Sequence, residues 1–229
     1  MENQSLKNNP SENQIILIDK PAGISSFGVV AKVRRKLKEE FDHKVKVGHT
    51  GTLDPFATGL LILLTGKMTK KSNEFLKLDK VYEATLKLGF TSTTGDPEGE
   101  ITKYTTTKTE NQPPQLEDIE SVINSFLGKI EQTPPKFSAI KINGKRAYKL
   151  ARENKDFEIP SRTIEIYDIE ILDYNYPELK IRTHVSSGTY IRTLAEDIGK
   201  KLSTGAYLTS LRRLKIGDYD LKNAEKLVQ

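Results

Sequence analysis

Apolar and polar positions along this chain follow two different periods, and the changes of period mark out its elements. Residues 15–18 form a short apolar run that stops at Lys20-Pro21-Ala22-Gly23, the pattern of a buried strand entering a turn. Ser25 or Ser26 stands where a helix cap belongs; beyond it Val30, Val33 and Leu37 share an inner face, with Arg34, Arg35, Lys36 and Lys38 facing out. A glycine-rich segment, 48–59, leads into a second apolar strand at 60–64. From 82 to 90 the period is two, with Tyr82, Ala84, Leu86 and Leu88 set against Glu83, Thr85 and Lys87, which predicts a half-buried strand with Tyr82 on the face of Leu86. Residues 102–114, rich in Thr, Lys and Pro, read as an irregular excursion, and 116–127 has helical spacing that ends at Gly128. Segments 136–143, 164–173 and 179–186 read as strands. Ile191, Leu194, Ala195, Ile198 and Leu202 make a last helical face, with Tyr190 and Arg192 at its start. Strands and helices mixed without regular βαβ alternation imply an α+β fold: a central mixed, mainly antiparallel sheet flanked by helices and loops, without internal repeat or interdomain linker.

Composition narrows the function. The chain has 229 residues, 36% hydrophobic and 29% charged, enough for a substantial core. Its longest apolar run, 60–64, is far short of the roughly 20 residues that span a bilayer. Residues 1–14 are polar and carry no secretory signal, so they are expected to be a flexible tail on a single domain, 15–229, of a cytoplasmic protein without a membrane partner. There is no cysteine, hence no disulfide, thiolate nucleophile or cysteine metal site, and His43, His49 and His184 do not make a zinc pattern, so no metal is expected. Any catalysis then uses oxygen or nitrogen side chains. The net charge of +5 is concentrated: Lys136, Lys141, Lys145, Arg146, Lys149 and Arg152 lie in a stretch free of acids, as do Arg212, Arg213 and Lys215. Without those nine the chain is net negative, which favours a polyanionic partner, while a solvated helix face fits the charge run alone equally well.

Three constellations could carry chemistry. In 48–59, three glycines and Pro55 set a tight backbone around one carboxylate, Asp54, suited to a nucleophile or general base; an Asp-Pro turn bonding its own backbone fits the same residues. Ser187-Gly188-Thr189-Tyr190-Ile191-Arg192 presents a phenol and a guanidinium at a helix start, where Arg192 could hold Asp54 ionised or else sit on the surface with Tyr190 in the core. Residues 136–152 interleave Phe137 and Tyr148 with bases, a mixture that neutralises phosphates and offers stacking faces. Gly66-Lys67 is not a phosphate loop, because Met68 follows where Ser or Thr would hold Mg²⁺ and Gly59 is too far upstream.

Taken in order, Asp19 to Gly23, the 48–59 loop, Val81-Tyr82-Glu83, 135–141, 188–194 and 208–217 resemble the TruB family, the bacterial tRNA pseudouridine-55 synthases. The resemblance implies the pseudouridine synthase fold and conversion of uridine-55 in the tRNA T-loop to pseudouridine by base flipping, with tRNA as partner of a monomer and no cofactor. It makes Asp54 the catalytic aspartate, Tyr82 the tyrosine on the flipped uracil and Arg192 the arginine paired with the aspartate. Tyr190 and Leu211 would line the base pocket, and His49 would support the rearranged loop. The basic stretch would be a mobile thumb at about 130–160, with Lys136, Lys141, Lys145, Arg146 and Lys149 on the RNA. Three departures stand out: Phe137 replaces a common Tyr, Ser187 a frequent Lys, and, if 229 residues is the whole protein, no C-terminal PUA domain is expected. A catalytically silent RNA-binding module and a hydrolase of the N-glycosidic bond are the competing classes.

Overall fold

The computed structural model describes residues 11–105, 113–142, 144–153 and 155–227. The first apolar run is β1 (Ile15–Lys20), and a turn joins it to α1 (Ser26–Phe41). Ser25 is the cap, its hydroxyl accepting the Gly28 N–H at 3.0 Å. There follow β2 (Val47–His49), β3 (Thr58–Thr65), a 3₁₀ segment (Gly66–Lys71), α2 (Ser72–Leu76), β4 (Lys80–Leu88) and a small hairpin of β5 (Phe90–Ser92) and β6 (Ile101–Lys103). Next come α3 (Leu116–Asn124), β7 (Gly128–Gln132), a second small hairpin of β8 (Lys141–Ile142) and β9 (Lys145–Arg146), and α4 (Ala147–Arg152). The chain closes with β10 (Arg162–Asn175), β11 (Glu178–Val185), α5 (Ile191–Lys201), β12 (Ala206–Ile216), β13 (Tyr219–Asp220) and β14 (Glu225–Lys226). Among the described residues no helix is long and apolar enough to cross a membrane.

One sheet organises the molecule, in the order β14-β1-β3-β12-β4-β11-β10-β7, with β2 on β3 and β13 on β12. Only β1 with β14 and β12 with β3 run parallel, so the sheet is mixed and mainly antiparallel, as the pattern implied. The continuous apolar run at 60–64 is explained by burial on both faces. Leu61 and Leu63 pack on Val29, Val30, Val33 and Leu37 of α1, whereas Leu60, Ile62 and Leu64 pack with Phe75 and Ile216 on the other side. In β4 the alternation is one-sided: Tyr82, Ala84, Leu86 and Leu88 lie in the largest core with Ile119 and Ile123 of α3 and Ile191, Leu194 and Ile198 of α5. Gly59 marks the close approach of the parallel pair; its φ is +101°, and a Cβ there would collide with the backbone of Arg213.

Several expectations are corrected. The strand expected over 136–143 does not form among its described residues, 136–142, of which only Lys141 and Ile142 pair, with Arg146 and Lys145. The backbone oxygens that would build a ladder are taken elsewhere: Phe137 by Arg192, Ser138 by the Tyr148 N–H, Ile140 by the Ala147 N–H and Ala139 by the Arg146 guanidinium. The helix expected over 116–127 ends at Asn124, after which turn hydrogen bonds carry the chain to Gly128 at φ +88°. The sequence pattern did not show β7 or β12, although β12 is central, because register shifts at Leu208/Ser210 and Arg213/Lys215 break its period of two. Of the excursion at 102–114, Thr102 and Lys103 belong to β6, and 106–112 lie outside the described residues. Of the expected tail, residues 1–10 lie outside the described residues too, and Glu12, Asn13 and Gln14 hydrogen-bond to Thr65 and Lys67 at the end of β3.

Candidate active site

The 48–59 loop is held at both ends before it presents Asp54. Ser26, buried at the start of α1, donates from its hydroxyl to Leu53 O at 2.9 Å and accepts the Leu53 N–H at 2.8 Å. Lys20, fully buried, donates to Pro21 O, Ile24 O and Pro55 O at 3.0, 2.7 and 3.2 Å. Burial pushes its ammonium down to about 8, with the Asp54 charge resisting the shift. Arg213 reaches in from β12, bonding Leu60 O at 2.8 Å, Gly51 O at 3.0 Å and Thr52 O at 3.5 Å. Asp54 and Ala57 close the turn through backbone (Ala57 N to Asp54 O, 3.1 Å), which leaves the Asp54 carboxylate free of its own backbone.

That carboxylate turns to Arg192. The second residue of α5 is 5% exposed at its side chain, and its Nε lies 3.0 Å from Asp54 Oδ2, which is 32% exposed. The Nε–H is not aligned for a hydrogen bond, so the contact is an ion pair held by charge. The rest of the guanidinium is fixed: Nη1 donates to Thr94 O at 2.8 Å and lies 3.4 Å from Asp96 Oδ2, and Nη2 donates to Phe137 O at 2.9 Å. One arginine thereby joins the 48–59 loop, the 93–99 turn, α5 and the root of the basic hairpin. Asp96, 3% exposed, is itself held by the Thr94 hydroxyl at 2.6 Å and the Glu98 N–H at 3.0 Å. Burial raises the Asp54 pKa above the ordinary aspartate value; Arg192 opposes this, Asp96 adds to it, and Lys20 opposes it. The group is a carboxylate on the edge of solvent with its cation beneath it, the disposition of a nucleophile or base.

The other expected residues fall around it. Tyr82 is buried in β4 opposite Arg213, and Leu211 opposes Ala84 in the same register, so the two project from the face that packs against Leu53 and Ala57. Tyr190 is the N-cap of α5, half-buried, with the Arg162 guanidinium 4.9 Å from its ring centroid. Gln132 clamps its backbone, donating to Tyr190 O at 3.0 Å and accepting its N–H at 2.8 Å. His49 ends β2; its Nδ1 accepts the Gly51 N–H at 3.4 Å, and burial followed by Arg213 lowers its pKa, which keeps the imidazole neutral. Lys136, Lys141, Lys145, Arg146 and Lys149 are all exposed, on or beside the β8–β9 hairpin whose root is pinned to Arg192. Among the described residues no His, Cys, Asp or Glu group is arranged to hold a metal.

The second basic cluster is a correction. Arg213 is 2% exposed and spends its donors on the 48–59 loop and the start of β3, Arg212 pairs with Asp19 at 2.8 Å, and Lys215 lies 3.8 Å from Asp220. Arg213 is therefore structural, satisfied by carbonyls distant in sequence, while Arg212 is half-buried on its acid and Lys215 is exposed. Lys20, Asp96, Gln132 and Arg213 are the site residues that sequence reasoning did not single out by role. Lys20 and Arg213 lay within segments marked there and Gln132 within the bounds expected of the thumb, but nothing local signalled Asp96 or the role of Gln132.

The fold has counterparts among solved structures. The Cbf5–Nop10–Gar1 complex superposes with a TM-score of 0.67 and 28% identity over 94% of this chain, which spans 52% of that one. An H/ACA RNP bound to a substrate RNA containing 2′-deoxyuridine gives 0.66 and 26%, covering 94% of this chain and 51% of that one. This is the pseudouridine synthase fold, and the protein is a pseudouridine synthase, an isomerase. The profile of the TruB family pseudouridylate synthase N-terminal domain matches residues 34–191, and that of the tRNA pseudouridylate synthase B C-terminal domain matches 192–229. The chain belongs to the TruB family. Among its relatives, the tRNA pseudouridine synthase B of Phocaeicola vulgatus is 47% identical over 94% of this chain and 90% of its own length. That of Flavobacterium johnsoniae is 47% identical over 93% and 92%, and that of Francisella tularensis 46% identical over 97% and 71%.

Proposed function

We propose that this enzyme isomerises uridine-55 in the T-loop of tRNA, with Asp54 as the attacking carboxylate. The observation that carries the reading is the Asp54–Arg192 pair: a solvent-edge carboxylate against a buried guanidinium, with Tyr82 and Leu211 in the core cluster that includes the neighbouring Leu53, and Tyr190 at the N-cap of the helix that carries Arg192. The target leaves the helical stack of the loop at a cost of a few kcal/mol, which contacts with Tyr82 and Leu211 offset. Asp54 attacks either C1′ of the ribose or C6 of the uracil, the N1–C1′ bond breaks, and the detached base turns in the closed pocket. C5 then bonds to C1′, displacing the Asp54 carboxylate from C1′ on the first route or preceding its elimination from C6 on the second; the proton on C5 is lost with help from Tyr82 and N1 gains a proton, so the product has the mass of the substrate and Asp54 is regenerated. His49 supports the loop the base has vacated. The exposed bases of the β8–β9 hairpin close over the stem-loop as a thumb, neutralising phosphates.

The test is an Asp54→Asn enzyme given an unmodified T-arm stem-loop, with pseudouridine mapped at single-nucleotide resolution. Binding with no product is expected; retained turnover would refute the assignment. Release of free uracil by the unsubstituted enzyme would point instead to a glycosidic hydrolase.

A further inference from the structure

The Asp54 pocket and the basic hairpin leave one conspicuous side chain unused. Phe27, in the first turn of α1, is 64% exposed, more than any other large hydrophobic residue among those described. A lone exposed phenylalanine is ordinary, but this one is placed from two directions. The preceding residue, Ser26, is the one bonded through its hydroxyl to both backbone groups of Leu53, so the helix start is fastened to the loop one residue before Asp54. Seven residues further on, Arg34 donates to Val47 O in β2 at 3.3 Å, and its guanidinium carbon lies 5.8 Å from the Phe27 ring centroid. Residues seven apart share a helical face, so Phe27 lies on the side of α1 that meets β2. That strand runs directly into His49 and the catalytic loop.

The rest of the stripe has matching chemistry. Phe27, Ala31, Arg34 and Lys38 follow at helical spacing; all are exposed except Arg34, which is half-buried. The helix carries Lys32, Arg34, Arg35, Lys36 and Lys38 before its first acid, Glu39. A flat apolar ring at the rim of the reaction loop, followed along one face by cations, suits an unpaired nucleobase followed by its phosphates. We propose that Phe27 is a stacking platform for an unpaired base of the RNA loop adjoining the target nucleotide, with Arg34 and Lys38 taking the backbone that leads to it. This rests on the reading of the protein as an RNA-modifying enzyme and adds a second point at which the opened loop is held.

The chain contains no tryptophan, so Phe27→Trp installs a single reporter at this position. Titration with the unmodified T-arm stem-loop is expected to quench its emission saturably, with a midpoint equal to the Kd measured by anisotropy; a blunt duplex of equal charge leaves it unquenched. Tyr167→Trp is the control. The Tyr167 ring packs at a tilt against His184 with centroids 4.8 Å apart, and His184 pairs with Val81, on the sheet face opposite Tyr82, so its emission should not respond. Phe27→Ala should weaken binding roughly 5- to 150-fold, the span produced by removing an aromatic that stacks on a base; Phe27→Trp should restore it. RNA that binds and is converted without quenching, or a Phe27→Ala Kd within two-fold of the parent, would overturn the platform while leaving the enzyme assignment standing. Failure of the unsubstituted enzyme to bind or convert the RNA would remove both. Quenching by a protein partner in place of RNA would assign the face to protein docking and overturn the proposal.

Discussion

Arg213 gives the sharpest test of how the 48–59 loop is held, because it is a buried cation paired with backbone oxygens and not with a carboxylate. In Arg213→Met the apolar chain keeps much of the volume while the hydrogen bonds to Leu60 O at 2.8 Å and Gly51 O at 3.0 Å, and the long one to Thr52 O at 3.5 Å, are lost. Bonds from a charged donor contribute about 1.5–3 kcal/mol each, so the two short ones amount to roughly 3–6 kcal/mol. Removing a buried charge returns part of its desolvation penalty, leaving a net destabilisation of about 2–4 kcal/mol. Against the ~5–15 kcal/mol of a typical domain this is a large shift, readable as a lower midpoint of urea unfolding at constant m. Arg213→Lys should fall between, since an ammonium keeps the charge but not the fork. A second readout is local. Arg213 is one of the causes that lower the His49 pKa, so the His49 ring should titrate at higher pH in Arg213→Met, followed by NMR. An unfolding midpoint equivalent to less than about 1 kcal/mol of change, together with an unmoved His49, would refute the clamp.

Three further outcomes follow from the same geometry. The Asp96 charge adds to the elevation of the Asp54 pKa, so in Asp96→Asn the acid limb of the pH–rate profile should move to lower pH; a move upward would show that Arg192 had been misdirected by the loss of its second carboxylate. Glu196 is raised from 4.5 to about 6, chiefly by burial. Its protonated form is favoured by folding, so that contribution is complete below pH ~4.5 and lost as pH rises through about 6. Glu196→Gln should then be about 1 kcal/mol more stable than the parent at pH 7.5, after discounting for partial exposure, and level with it at pH 4; equal stability at both pH values would contradict the burial argument. Neutralising Lys145 and Arg146 together should weaken stem-loop binding and flatten the slope of log K against log salt by about 1.5. An unchanged slope would make the hairpin a solvated face.

Much of the candidate site was legible before any folding was considered. The Asp54 loop carried its own punctuation in three glycines and Pro55. The period of two in β4 put Tyr82 on the core side, and the helical face of α5 put Tyr190 and Arg192 at its start, because one-sided burial writes itself into local spacing. The 136–143 segment misled for the complementary reason: its apolar residues suited a strand, but its carbonyls were claimed by Arg192, Arg146 and the N-terminus of α4.

What the sequence determined by itself, then, was which local segments bury one face and which residues carry reactive groups at the ends of those segments. Tertiary structure decided which of the charges are chemistry and which are scaffold. Arg213 reads like Arg146 in the chain, yet one is 2% exposed beneath the loop and the other is in solvent. Asp96 and Gln132 acquire their places only when the sheet closes, Asp96 beside Arg192 and Gln132 on the backbone of Tyr190, 58 residues away. A buried polar group is stabilised by whatever partner the fold brings within hydrogen-bonding distance. Such partners are set by long-range packing, to which the spacing of hydrophobic residues around the group itself is blind.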